Sequence, residues 1–190
     1  RFGVVEMCYP GGCVLGKRPV EAHIRALEQL GAQDMSTNEV LHLQGTLKPG
    51  HVILPEFSVT ATENAILAAA LTPGETRIDM AAAEPHVQAV EKFVCAMGAE
   101  VEGIGTHTVI VRGRTKLACA EYRVPSDYLE AGGLAIAALV TRGKVRLHDV
   151  EYDHLMNFLD VLKRMGAEWK YDAGEKVLFV DGEISSLNAV

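Results

Sequence analysis

The sequence has no long hydrophobic run and no excess of basic residues. No uncharged apolar stretch approaches the roughly 18 residues that a membrane-spanning helix requires, and the first residues lack the pattern of a signal peptide. Lys and Arg number 18 against 25 Asp and Glu, which gives a formal net charge of −7. Binding of nucleic acid through a basic face is therefore not expected. We expect a cytoplasmic protein whose partners are neither membranes nor nucleic acids.

Cysteine is also scarce, with Cys8, Cys13, Cys95 and Cys119 as the full set. The sequence contains no Cys-x-x-Cys pair and no Cys/His spacing typical of a zinc site. Cys95 and Cys119 lie in apolar surroundings, where a free cysteine behaves as a small hydrophobic residue. These patterns predict no metal site and favour a reducing compartment.

Glycine marks an internal repeat. Gly31, Gly98 and Gly166 each end an amphipathic helical pattern, and they are spaced by 67 and 68 residues. Glycine just after a helix is typical of a left-handed C-terminal cap. Each helix is followed by an alternating strand that closes on glycine, at 40–45, 109–113 and 177–182. The regular spacing predicts repeated structural units that stack on one another.

Hydrophobic periodicity and turn residues give the order of elements within each unit. We predict helices at 62–71, from 85 onwards, at 127–141 and at 153–165; strands at 75–80, 99–103, 107–112 and 144–149; and a hairpin at 167–181. The unit is β-α-β-α-β-β, present about two and a half times. The predicted fold class is therefore mixed α/β (α+β) with repeated units.

The most chemically distinctive stretch is 10–23, PGGCVLGKRPVEAH. Three glycines in six residues allow the backbone to turn freely and approach a ligand, and Cys13 lies among them. Lys17 and Arg18 follow, and Pro19 is predicted to open a helix, since proline is favoured at the first helical position. Positive charge and a helix N-terminus favour both a thiolate and a bound anion. The loop therefore predicts a reactive sulfur beside an anion site.

Two other interpretations of this loop remain open. Gly11 to Lys17 matches the G-x-x-x-x-G-K of a nucleotide P-loop, but Arg18 replaces the Ser or Thr that would hold Mg²⁺. Pro19 also removes an amide from the turn that would cradle phosphate. The remaining alternative is an ordinary glycine-rich surface turn with an incidental cysteine.

A second candidate anion site precedes the helix predicted at 62–71. Ser58, Val59 and Thr60 place a hydroxyl and several amides at the N-terminus of that helix. Capping of the helix by Ser58 or Thr62 explains the same residues without a ligand. The sequence leaves both explanations open.

The run at 10–23 resembles the signature loop of the UDP-N-acetylglucosamine enolpyruvyl transferase family, whose pattern is close to PGGC-x-x-G-x-RPVD-x-H. The likeness continues through 57–71, 84–100 and 124–145, and so covers nearly the whole chain. The resemblance implies an inverse α/β barrel of six such units, three per domain, with helices inside. Residues 1–121 are then expected to form the latter part of domain one, and 122–190 the first unit of domain two.

On this basis the sequence is expected to be a piece of a longer protein. The apolar helices AILAAAL (65–71) and LAIAALV (134–140) are expected to be buried inside their domains. The missing units are expected to leave open sheet edges, which favour self-association.

The resemblance also implies an activity: transfer of enolpyruvyl from phosphoenolpyruvate to the 3-hydroxyl of UDP-N-acetylglucosamine, the first committed step of peptidoglycan synthesis, with no cofactor. Cys13 is implied as the general acid and Arg18 as a phosphate contact. The remaining implied substrate-binding residues are a uridine-cradling segment with an active-site histidine and a diphosphate-contacting segment: Pro19, Val20, Glu21, Ala22, His23, Ser58, Val59 and Thr60.

Three positions depart from the family pattern. Glu21 replaces aspartate, Glu56 stands where lysine is common, and Thr60 stands where the family carries glycine. The last two motivate the alternative of a non-catalytic relative or structural fragment of the same fold. A sister enzyme acting on shikimate phosphate shares the repeat but lacks the PGGC loop. Because the implied site also needs residues outside this chain, the chain alone is expected to be inactive.

Overall fold

The computed structural model describes residues 3–9 and 19–188, which form five helices and ten strands. The helices are α1 (Glu21–Gln29), α2 (Val59–Ala70), α3 (Pro85–Ala96), α4 (Tyr128–Val140) and α5 (Tyr152–Arg164). The strands are β1 (Val4–Cys8), β2 (Gln33–Asp34), β3 (Val40–Gln44), β4 (His51–Ile53), β5 (Gly74–Asp79), β6 (Glu100–Glu102), β7 (Thr108–Gly113), β8 (Lys144–Leu147), β9 (Glu168–Asp172) and β10 (Val177–Asp181). In the described part of the chain no helix has the length and apolar character needed to span a bilayer.

The chain divides into two compact units, Arg1–Arg123 and Val124–Val190. Each unit has its own hydrophobic core, built from helix faces packed on a sheet. The division lies close to the boundary predicted after residue 121. The assignment of the two units to two domains of a larger protein stays a prediction.

The predicted repeat is visible in the order of elements. The segment from β4 to β7 is a complete β-α-β-α-β-β copy, and its sheet has the order β4-β5-β7-β6 with β4 parallel to β5. An earlier copy contributes α1, β2 and β3, with β1 paired antiparallel to β3. In the second unit, α4 to β10 repeat the plan without a strand before α4 among the described residues. All three sheets are open, so the described residues contain no closed barrel.

The three repeat-marking glycines end α1, α3 and α5 in the same way. Gly31, Gly98 and Gly166 have φ of +103°, +106° and +89°, a region that residues with a Cβ rarely adopt. In each case the glycine N–H and the next N–H bond back to carbonyls three and five residues earlier, for example Gly31 to Glu28 O at 2.8 Å and Ala32 to Leu27 O at 3.0 Å. This is the Schellman motif, and it confirms the capping role predicted from glycine spacing.

The expectation of burial for the apolar helices holds for α2 better than for α4. Helix α2 contacts both α1 and α3, whereas the helix that contacts α4 is α5. One face of α4 therefore stays open, and Leu134, Ile136 and Val140 are 47%, 45% and 69% exposed. Both helices also pack on their sheets, but among the helices in the described residues α2 has two neighbours and α4 has α5.

Gly113 closes β7 directly against the end of α2. A Cβ at this position would overlap the carbonyl oxygens of Ala69 and Thr72. The same approach recurs one repeat later, where a Cβ at Gly182 would overlap the carbonyl oxygen of Ala138. These glycines let the hairpin of each repeat pack against the first helix of that repeat.

We predict that Gly113→Ala lowers the free energy of unfolding by at least about 2 kcal/mol, because backbone carbonyls cannot move aside as a flexible side chain can. Gly133→Ala is the matched control, since Gly133 lies within α4 and a Cβ there meets no atom within 4 Å. We expect that control to stabilise the protein by roughly 0.5–1 kcal/mol, as alanine does in a helix. Urea unfolding curves measure both. Equal effects of the two substitutions would contradict the packing argument.

Glu91 is a buried acid on α3. Its side chain is 1% exposed, and its Oε2 accepts an N–H bond from Gly105 at 3.3 Å. Burial raises the pKa of Glu91 from 4.5 to about 7, although the Gly105 N–H and the nearby Lys92 charge act in the opposite direction. A carboxyl group with a raised pKa destabilises the folded state when it ionises.

We predict that the contribution of Glu91 to stability falls as the pH rises from about 4.5 to about 7, the interval between the unfolded and folded pKa values of this residue. Below that interval the carboxyl is neutral in both states and imposes no penalty; above it the penalty is complete, at most about 3 kcal/mol. Glu91→Gln should therefore stabilise the protein at pH 8 and change little at pH 4.5. Unfolding free energies at both pH values are the measurement.

Glu28→Gln supplies the control for this effect, because Glu28 is an exposed acid on α1. It should leave the difference in unfolding free energy between the two pH values unchanged. A Glu91→Gln protein with the same pH dependence as the unmodified chain would show that Glu91 is not the group responsible.

Candidate functional site

One cavity brings together the two stretches singled out in the sequence. It has a volume of about 410 Å³, and its walls come from the start of α1 and from the approach to α2. The lining residues are Pro19, Glu21, Ala22, His23, Arg25, Pro55, Glu56, Ser58 and Thr60. Six of the ten predicted site residues therefore meet in one place. Cys13 and Arg18 lie outside the described residues.

The other two predicted residues, Val20 and Val59, support the cavity without lining it. Val20 precedes α1, and its carbonyl accepts N–H bonds from His23 and Ile24, each at 3.0 Å. Val59 is half-buried at the start of α2 and packs against the core of the first unit. Their roles in this geometry are to fix the backbone at the starts of the two helices.

The prediction that Pro19 opens the first helix is wrong by two residues. Helix α1 begins at Glu21, because Val20 has φ −117° and ψ 4° and so lies outside helical geometry. Glu21 then occupies the first turn, where a carboxylate is stabilised by the helix dipole. Pro19 lies before the helix and lines the cavity instead.

The side chain of Gln29 fixes α1 on the neighbouring strand. Its Nε2 donates to the carbonyl of Ile53 at 3.1 Å, and its Oε1 accepts the Ile53 N–H at 2.8 Å. Ala22 and Ala26 are buried on the face of α1 that turns towards the core. The start of α1 is thereby held beside the residues that lead from β4 into α2.

His23 connects the two walls of the cavity. Its Nε2 lies 3.1 Å from Oγ1 of Thr60, and its Nδ1 lies 2.6 Å from Nδ2 of Asn64. Asn64 was not identified from the sequence. Its spacing of four residues from Thr60 places both on one face of α2, and that spacing is the signal that points to it.

The structure shows a cap at the N-terminus of α2. Ser58 has extended geometry, and its Oγ accepts the Ala61 N–H at 3.4 Å. Thr62 is buried; its hydroxyl donates to Ser58 O at 2.7 Å and accepts the Ala82 N–H at 3.0 Å. The hydrogen bond from the Ala61 N–H to Ser58 Oγ is long. The other amides in the first turn of a helix have no partner within the helix. A capped terminus of this kind still presents donors to an anion.

Besides His23, the cavity carries two acidic side chains, Glu21 and Glu56, and one arginine, Arg25, and these three are exposed. For an anionic ligand the carboxylates are unfavourable, and the helix N-terminus and Arg25 are favourable. The described residues contain no group of three or more His, Cys, Asp or Glu arranged to hold a metal ion. What this arrangement can do chemically is bind an oxyanion through amides and hydroxyls.

The chain matches a family model over residues 1–189, and the model is described as EPSP synthase (3-phosphoshikimate 1-carboxyvinyltransferase). Among curated proteins, it is 40% identical over 99% of its length to the UDP-N-acetylglucosamine 1-carboxyvinyltransferase of Paramagnetospirillum magneticum. It is 41% identical over 88% of its length to the protein of that name from Shewanella pealeana. It spans 44% and 40% of these two proteins, which is less than half of their length.

Solved structures show the same architecture. The enolpyruvyl transferase NikO from Streptomyces tendae matches with a TM-score of 0.78 at 21% identity, over 95% of this chain and 44% of that one. At that identity the likeness concerns the fold alone. An EPSP synthase from Acinetobacter baumannii gives a TM-score of 0.68 at 26% identity, over 97% of this chain and 44% of that one. The predicted mixed α/β class is confirmed.

We predict that Glu56→Lys strengthens the binding of inorganic pyrophosphate by about two- to fivefold at low ionic strength, because it replaces a repelling charge at the cavity with an attracting one. Isothermal titration calorimetry measures the affinity, and the gain should shrink as salt screens the charge. Glu28→Lys makes the same charge change away from the cavity and should have a much smaller effect. An equal gain from both substitutions would indicate general charge attraction instead.

Proposed function

This chain belongs to the EPSP synthase family, and on that premise we propose that it carries part of an enolpyruvyl transferase site for phosphoenolpyruvate and UDP-N-acetylglucosamine. Curated relatives at about 40% identity bear the name UDP-N-acetylglucosamine 1-carboxyvinyltransferase, which supports the nucleotide sugar over shikimate phosphate as acceptor. The PGGC loop at 10–13 supports the same choice. The reaction belongs to peptidoglycan synthesis and takes place in the cytoplasm.

The observation that carries the proposal is the shared cavity of the α1 and α2 starts. Uridine contacts are assigned to Pro19, Val20, Glu21 and Ala22, and diphosphate contacts to Ser58, Val59 and Thr60. These two groups need to face one ligand, and residues from both line one cavity of about 410 Å³. A nucleotide diphosphate fits the chemistry of a helix N-terminus with hydroxyl side chains.

The proposed chemistry is an addition followed by an elimination. The 3-hydroxyl of the sugar gives its proton to a base outside this chain as its oxygen bonds to C2 of phosphoenolpyruvate, and the methylene carbon gains a proton from a general acid, which gives a tetrahedral ketal. Loss of a proton from the new methyl group then expels phosphate and restores the double bond. Cys13 supplies the first proton as general acid, a role that needs a thiol whose pKa is near the working pH. Arg18 binds phosphate through two parallel N–H hydrogen bonds from its guanidinium group.

The chain supplies only part of this site. It spans less than half of its curated relatives, and the resemblance assigns further catalytic groups to residues outside it. We therefore propose that the 190 residues alone bind ligand without turnover and that the longer protein performs the reaction. The open sheets of the described residues also suit self-association of the isolated chain.

A second candidate function is a non-catalytic member of the same family. Glu56 in the cavity favours it, because this acid repels a diphosphate at a position where the family commonly carries lysine. It differs from the first proposal in one respect that can be measured: a non-catalytic protein of full family length releases no phosphate.

We predict that a protein of full family length containing this chain releases phosphate only when phosphoenolpyruvate and UDP-N-acetylglucosamine are both present. Cys13→Ser should lower kcat by about a hundredfold or more, because a hydroxyl is a much weaker acid than a thiol. Cys119→Ser is the control, since Cys119 is an exposed thiol outside the cavity, and it should leave the rate unchanged. A colorimetric phosphate assay is the measurement. The absence of phosphate release with both substrates present would favour the non-catalytic alternative.

A further inference from the structure

The contacts of His23 assign a direction to a chain of hydrogen bonds across the cavity wall. Asn64 presents its amide nitrogen to His23 Nδ1 at 2.6 Å. An amide nitrogen can only donate, so Nδ1 accepts. In a neutral imidazole the proton then resides on Nε2. Nε2 lies 3.1 Å from the Thr60 oxygen and donates to it.

This direction determines what Thr60 can offer a ligand. A hydroxyl has one proton to donate and lone pairs to accept. Because Thr60 accepts from His23, its own proton is available to another acceptor. Thr60 is exposed, lines the cavity and occupies the first turn of α2, where the amides have no partner within the helix. The hydroxyl and the amides are therefore donors at the same edge of the cavity.

We propose that Thr60 is a ligand-binding residue that donates a hydrogen bond to an anionic oxygen of the ligand, and that Asn64 is the positioning residue that keeps this donor available by fixing the tautomer of His23. The inference rests on the proposed function for the identity of the ligand as a diphosphate. The glycine that the family pattern carries at this position has no hydroxyl and makes no such contact with the histidine.

The charges around the cavity explain why a neutral donor matters here. Glu21 and Glu56 line the same walls as Thr60 and repel an anion, whereas Arg25 attracts it. A hydrogen bond from a hydroxyl to a charged oxygen stabilises the ligand without adding a further charge. The bond is also polarised by the donors behind it, since His23 and Asn64 donate in the same direction.

The first test concerns the tautomer and needs no ligand. Nitrogen-15 NMR of the imidazole distinguishes a protonated from an unprotonated ring nitrogen, and a His23→Gln variant assigns the signal among the seven histidines. We expect the proton on Nε2 in the unmodified chain. Asn64→Asp should move it to Nδ1, because a carboxylate accepts and cannot donate. Free imidazole side chains also favour Nε2, so the shift in Asn64→Asp is the discriminating result. An unchanged tautomer in that variant overturns the positioning role.

The second test measures the affinity for inorganic pyrophosphate by calorimetry. Thr60→Val keeps the shape of the side chain and removes the hydroxyl, and we expect it to weaken binding about tenfold, the cost of a hydrogen bond to a charged group. Thr60→Ser should bind as the unmodified chain does. Equal affinities of the Val and Ser variants, or no binding of pyrophosphate to the unmodified chain, overturn the inference.

A double-mutant cycle connects the two residues. Asn64→Asp turns the Thr60 proton towards His23 and adds a negative charge, so it should weaken binding for both reasons. In a Thr60→Val background only the charge effect remains, and we expect a loss several-fold smaller. Equal losses in both backgrounds mean that Asn64 does not act through Thr60, which contradicts the proposal. If these outcomes hold but UDP-N-acetylglucosamine fails to compete with pyrophosphate, the proposed function fails and the hydrogen-bond chain stands.

Discussion

The packing of α1 on β4 and α2 is the constraint on which the candidate site depends. Gln29 bonds to both backbone groups of Ile53, so the far end of α1 is tied to the strand that leads into α2. Small residues complete the docking, since Ala26 on α1 and Ala65 on α2 are both fully buried. Two helix starts from separate stretches of the chain are thereby held on the two sides of one cavity.

The backbone conformation of the glycines fixes where helices and hairpins end in each repeat. Each second helix ends in a left-handed glycine that returns the chain into a strand, and the two later hairpins close on Gly113 and Gly182, where a Cβ would meet the first helix of the same repeat. Gly31 ends α1 in this way, and so sets the direction in which the chain leaves the helix. The backbone conformation that glycine permits at these positions therefore determines where the functional helices can lie.

Much of this architecture follows from the sequence because its signals are local. The spacing of Gly31, Gly98 and Gly166 predicts three helix ends, and all three are Schellman motifs in the structure. The helix predicted at 62–71 is α2, which begins three residues earlier at Val59 because Ser58 provides the cap. Local patterns thus identify elements well and their first residues less well.

The remaining features depend on contacts between distant stretches of the chain, which a single sequence does not reveal. Pro19 has the features of a first helical residue, yet the non-helical Val20 delays α1 to Glu21. Asn64 belongs to the site only because α1 brings His23 against α2. Exposure of one face of α4 likewise reflects which helices are present to cover it, and periodicity alone carries no information on that point.

Thr60 and Glu56 are two departures from the family pattern whose surroundings differ. Both lie beside the expected diphosphate, and both line the cavity. Thr60 contacts His23 and so is integrated with the opposite wall, whereas Glu56 is exposed. The hydrogen bond to His23 supports the proposed role of Thr60 as a donor at the cavity, and the charge of Glu56 supports the alternative of a non-catalytic relative. The two departures from the family pattern therefore act against each other at one site, and the affinity for a diphosphate depends on which effect is larger.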